Sequence, residues 1–112
     1  MRILSVLIMM LFTFSANAQN NKTKTMKVAV WDTYVTKKDG SVMHFDIIAP
    51  DHIKEEKRIY TFGKDYLLSK NQENQPLTSK ECSFCHIEKA TDEMIISIQQ
   101  KGYYIIEMQN CN

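Results

Sequence analysis

Apolar and polar positions alternate from Met26 onward in a way that sets out most of the fold. "KVAVWDTYV" (Lys27 to Val35) is rich in β-branched and aromatic residues, and "SVMHFDIIA" (Ser41 to Ala49) places Met43, Phe45 and Ile47 on one face and His44 and Asp46 on the other. Lys37-Lys38-Asp39-Gly40 separates them, and the Asp-Gly step supplies a residue that accepts positive φ. The pair therefore predicts a β-hairpin with a three-residue loop and Gly40 in the left-handed position. In that register Tyr34 faces His44 and Asp32 faces Asp46, while Trp31, Thr33 and Val35 share the opposite face with Met43, Phe45 and Ile47.

The period then changes. After Pro50, "DHIKEEKRIYTFGKDYLLSK" repeats Ile59, Phe62, Gly63, Tyr66 and Leu67 at helical spacing, which predicts an amphipathic helix packed on the sheet. The polar segment Asn71 to Glu81 contains Pro76 and reads as a loop leading to Cys82. Thr91 is a good N-cap, Asp92 and Glu93 suit the first turn of a helix, and Gly102 is a stop signal. "YYIIEM" (Tyr103 to Met108) reads as a third strand, with Cys111 just past its end. The predicted order is β-β-α-α-β: an α+β domain with a small, mostly antiparallel sheet of about three strands and two helices on one face.

The N-terminus reads differently. Arg2 is followed by the apolar run Ile3 to Phe14, then Ser15 and the small-residue triplet Ala16-Asn17-Ala18, the pattern of a secretory signal peptide. The run is too short to span a bilayer, so residues 1–18 are expected to be cleaved, residues 19–25 to form a polar flexible leader, and residues 26–112 to form one domain. The first cysteine is Cys82, which leaves no lipid-modified cysteine behind the cut; an exported, soluble product is expected, periplasmic or extracellular, with no membrane span. Losing Arg2 takes the 14 basic side chains to 13, matching the 13 acidic ones. No charge block steers the domain to nucleic acid or an anionic membrane.

Standard catalytic motifs are absent: no phosphate-binding glycine loop, no H-E-x-x-H and no G-x-S-x-G occurs. Interest falls on Cys82-Ser83-Phe84-Cys85-His86, which admits three chemistries. C-x-x-C-H is the attachment signal of c-type haem, with His86 as proximal ligand and Met94 or Met108 as the distal one. Zinc needs four N or S ligands, which Cys82, Cys85 and Cys111 with His44 or His86 would supply if the last strand returns beside the loop. A thiol-disulfide pair is the third, although a thioredoxin-like site wants the motif directly after a strand and at a helix N-terminus, whereas a polar loop is expected here. Set against all three is a plainer reading, in which the cysteines are small buried hydrophobes. His44, Asp46 and Asp32 form a second polar constellation, suited to orienting an imidazole or supporting a metal ligand, or simply to a solvated strand face.

"MKVAVWDTYVTKKDGSVMHFDIIAP" followed by "ECSFCHIEKATDEMIISIQQKGYYIIEMQNCN" resembles the small bacterial domain of unknown function numbered 2024. The shared features are the D-T-Y-V and M-H-F-D strands, E-C-x-F-C-H, and a closing G-Y-x-I-x-x-M-x-x-C; the match spans Met26 to Asn112 with a looser middle. The resemblance implies a compact α+β fold of this element order and no established activity. It places the family's recurring polar and thiol positions on Asp32, His44, Asp46, Cys82, Cys85, His86 and Cys111. Relatives usually begin near Met26 and look cytosolic, which weakens haem and a general disulfide role, while a metal or structural role survives in either compartment. The leading expectation is a non-enzymatic or accessory domain with a structural or sensory metal site, zinc for preference, on Cys82, Cys85 and Cys111 with His44 or His86. An exported c-type haem protein and a thiol-disulfide redox protein are the alternatives.

Overall fold

The computed structural model describes residues 26–112 apart from Phe84, His86 and Glu88, so the expected signal peptide and leader lie outside the described residues. Strands β1 (Val28–Thr36) and β2 (Val42–Pro50) form the hairpin. Lys37 N donates to Ser41 O and Gly40 N to Lys37 O, closing a three-residue loop with Gly40 at φ 91°. The observed pairing sets Tyr34 against His44 and Asp32 against Asp46. This is the register that alternation requires, because a slip of one residue would carry Phe45 and Ile47 into water.

Helix α1 (Glu56–Ser69) buries Ile59, Gly63, Tyr66 and Leu67. It starts later than its periodic pattern suggests, since Asp51 to Glu55 form a turn and an extended lead that tuck Ile53 into the core. The segment expected to be loop contains strand β3 (Leu77–Glu81), which pairs antiparallel with β1. "LTSKE" carries only one large apolar residue, and an edge strand needs little more. Leu77 and Ser79 face inward, and the Thr33 and Ser79 hydroxyls bond at 2.8 Å within the core. Pro76 stands just before the strand, where its missing N–H interrupts no ladder bond.

Thr91 Oγ1 accepts from Met94 N to open helix α2 (Asp92–Lys101), and Gly102 closes it at φ 97°. Strand β4 (Tyr104–Gln109) then pairs antiparallel with β2, giving a four-stranded antiparallel sheet of order β3-β1-β2-β4. The α+β class is as expected, with two details changed: four strands instead of about three, and helices on both faces instead of one. The second change follows from the composition of the strands. Trp31, Val35, Met43, Phe45 and Ile47 form one core beneath α1, but Val30 and Ile48 point the other way. Those residues, with half-buried Val28, Tyr104 and Ile106, need their own cover, and Ala90 and Met94 supply it. Toward the hairpin loop the same second face gives way to polar residues and leaves Tyr34 and Val42 exposed.

Candidate functional site

The polar end of the second face gathers Asp32, His44 and Asp46 on two adjacent strands. Asp32 and Asp46 are directly opposed in the β1–β2 ladder, and His44 lies two residues from Asp46 on the same face. His44 Nε2 is 2.7 Å from Asp32 Oδ1 and 4.0 Å from Asp46 Oδ1. One ligand atom from each of the three residues falls within 4.8 Å of the others. The Tyr34 ring stacks on the imidazole at 4.3 Å between centroids and 7° between planes, which fixes the plane in which Nε2 meets the carboxylates. A register shift of β4 between His44 and Phe45 bulges the neighbouring strand beside the site.

The electrostatics are unusual for a solvated strand face. Like charges placed directly across a strand pair repel, and the Asp46 side chain is only 13% exposed. Burial first, then the charge of Asp32 and a hydrogen bond to it, push the Asp46 carboxyl above the usual carboxylate range, with His44 acting weakly in the opposite sense. Lys80 stands opposite Asp32 in the β1–β3 register. An opposed acid pair of this kind, with one carboxylate largely buried, is relieved by a proton or by a cation.

The cysteines are arranged otherwise. Cys82 follows β3 directly, its backbone N donating to Val30 O at 2.8 Å, and its side chain joins the second-face cluster with Val30, Ile48 and Met94. Cys82 and Cys85 form a disulfide. Cys111 is a free thiol on the opposite face, in the core with Phe45 and Tyr66, where its Sγ donates to His44 O at 3.3 Å. The backbone anchors of Cys82 and Cys111, Val30 with its partner Ile48 and His44 with its partner Tyr34, are four ladder positions apart, or roughly 13 Å along the strands. The expected four-ligand site of Cys82, Cys85 and Cys111 with His44 is therefore not assembled: two of its sulfurs are bonded to each other, and the third lies across the sheet from them. Haem attachment would use both sulfurs of the pair as thioethers, and in this structure they are joined instead. His86 lies outside the described residues.

A polar group that the strand pattern did not single out lies at the β4 edge. Tyr66 Oη donates to Glu107 Oε2, and Lys70 Nζ reaches the same oxygen at 2.9 Å. These hydrogen bonds hold the Glu107 carboxyl below its usual range, while burial and the same contact push the Tyr66 hydroxyl up. The signal was faint: Glu107 breaks the inward alternation begun by Ile105, and Tyr66 is an apolar-face residue with a polar tip.

Together these features define a small α+β domain with a carboxylate–imidazole cluster on one sheet face and a disulfide at the end of an edge strand. Residues 26–108 match the family described as Domain of unknown function (DUF2024), and the chain belongs to that family. The chain is also similar to protein NE1680 of Nitrosomonas europaea, a structural-genomics target solved by NMR. The two are 41% identical, with a TM-score of 0.61 over 76% of this chain and 98% of that one. No curated protein matches the chain. Among the described residues, no helix is long and apolar enough to cross a membrane.

Proposed function

We propose that this domain is a small accessory module that binds a divalent cation through Asp32, His44 and Asp46. The observation that carries the reading is the direct opposition of two carboxylates, one of them largely buried, beside an imidazole nitrogen 2.7 Å from one and 4.0 Å from the other. Two carboxylate oxygens and one imidazole nitrogen suit zinc or manganese, and less so calcium, which prefers more oxygens. Zinc ligands at about 2.1 Å in a tetrahedron stand about 3.4 Å apart. The three ligand atoms lie within 4.8 Å of one another, so each separation has to change by no more than about 1.4 Å to reach that spacing. The cation relieves the repulsion between the opposed carboxylates, and Tyr34 keeps the imidazole in plane for it. Three protein ligands leave a position open for water, a partner or a small anion, which suits a sensory or accessory role.

The test is calorimetric titration of zinc and manganese into protein made without a polyhistidine tag. One equivalent should bind to the natural protein and to a Cys111→Ala variant, and neither His44→Ala nor Asp46→Asn should bind. Absence of stoichiometric binding to the natural protein sinks the proposal, and so does binding that survives both site variants.

A further inference from the structure

We infer that Cys82–Cys85 is a reversible thiol–disulfide couple in which Cys85 is the sulfur that an external thiol attacks. The inference is independent of the cation site. The motif is preceded by strand β3, not by the expected loop, and Cys82 prolongs that strand by its hydrogen bond to Val30 O. The Cys82 backbone is thereby anchored to the sheet. Cys82 is half-buried against Val30, Ile48 and Met94, whereas Cys85 is exposed. The bond joins residues only three apart, with Cα atoms at 5.3 Å. A crosslink constrains the unfolded chain more as its loop lengthens, so one this short does little stapling, and its exposed sulfur suits exchange better than reinforcement. Cys111, buried in the other core, takes no part, which leaves a two-sulfur system.

The chemistry balances with a low-molecular-weight thiol as reductant. A thiolate RS⁻ attacks Cys85 Sγ, forming an R–S–Cys85 mixed disulfide and breaking the bond to Cys82. The electron pair leaves on Cys82 Sγ, which takes a proton from water and stays in its apolar setting as a neutral thiol, a small hydrophobe. A second thiolate attacks the R sulfur of the mixed disulfide, releasing RSSR and the Cys85 thiolate, which is protonated in turn. The protein gains two electrons and two protons, and two RSH are oxidised to RSSR. Both states keep Cys82 against the same neighbours, so the couple turns over without opening the fold.

The test uses the natural protein equilibrated in glutathione buffers of graded ratio, quenched with an alkylating agent and weighed intact. Two additional alkyl groups should appear reversibly under native conditions, on Cys82 and Cys85, with circular dichroism unchanged. Single-cysteine variants in a Cys111→Ala background then assign the attacked sulfur: Cys82→Ser, which leaves Cys85, should form a mixed disulfide with oxidised glutathione at least tenfold faster than Cys85→Ser, which leaves Cys82. The inference is overturned if the disulfide is reduced only after denaturation, or if the two variants react at equal rates.

Discussion

Replacing Asp46 by Asn separates cation binding from stability, because the two should move in opposite directions. Asp46 and Asp32 face each other across the hairpin. Two unit charges about 5 Å apart repel by roughly 0.8 kcal/mol in water and about 3 kcal/mol at an effective dielectric constant near 20. The Asp32 side chain is 43% exposed, which places the repulsion toward the lower figure, and His44 offsets part of it. Without added cation, Asp46→Asn should therefore stabilise the domain by about 1 kcal/mol at pH 7. The pH dependence has a definite sign. The Asp46 carboxyl is raised above 3.8 in the fold, so its favourable contribution is complete below the unfolded value and is lost as pH rises through the folded one. The advantage of the variant should thus be small near pH 3 and full at neutrality. Urea unfolding in the presence of a chelator measures it, as a midpoint rise of about 0.5–1 M with unchanged slope. Zinc at about one hundred times its dissociation constant should then add about 2.7 kcal/mol to the natural protein and nothing to the variant, inverting their order. A variant that is no more stable than the natural protein under chelation, or that still gains stability from zinc, refutes the reasoning.

Other consequences follow from the rest of the fold. Tyr66→Phe removes the hydroxyl that bonds Glu107 and should cost about 1 kcal/mol at pH 7. Because the Glu107 carboxyl is lowered in the fold, that cost should fade as pH drops through its folded value, the reverse of the Asp46 trend, and parallel denaturation series will show it. Gly102→Ala puts a side chain at φ 97° with its Cβ 3.1 Å from the Phe62 ring, and should cost about 1–2 kcal/mol, seen as a lower melting temperature. The double substitution Cys82→Ser, Cys85→Ser should lower stability by no more than about 2 kcal/mol, because the closed loop is so short, and should leave far-ultraviolet circular dichroism intact.

Much of the scaffold was legible in the sequence wherever one period dominated. The hairpin register followed from Met43, Phe45 and Ile47 alternating with His44 and Asp46, since only one pairing buries the apolar set. The caps of α2 followed from Thr91 and Gly102, whose local chemistry is self-contained. Strand β3 was not legible, because "LTSKE" is stabilised by a buried hydroxyl pair and by an available edge of β1, neither of which is a local property. The side on which α2 packs was likewise hidden. It depends on Val30 and Ile48 forming a second apolar face, a small signal within strands whose main stripe points the other way.

The same contrast governs the site. The meeting of Asp32, His44 and Asp46 could be read from the hairpin register alone, because it needs only two adjacent strands. The convergence of Cys111 with Cys82 and Cys85 required knowing which face each end of the sheet presents, and the bulge between His44 and Phe45 alters the path of β4 just before Cys111. Spacing in sequence brings residues near a strand end, but the side of the sheet decides what they can share.

Native mass spectrometry of the tag-free protein, with the Cys82–Cys85 disulfide first reduced and its thiols alkylated, tests the cation site most directly. One zinc ion should add per chain, with His44→Ala remaining at the apo mass. A spectrum with no zinc adduct, or one in which the adduct disappears once the cysteines are blocked, would contradict it.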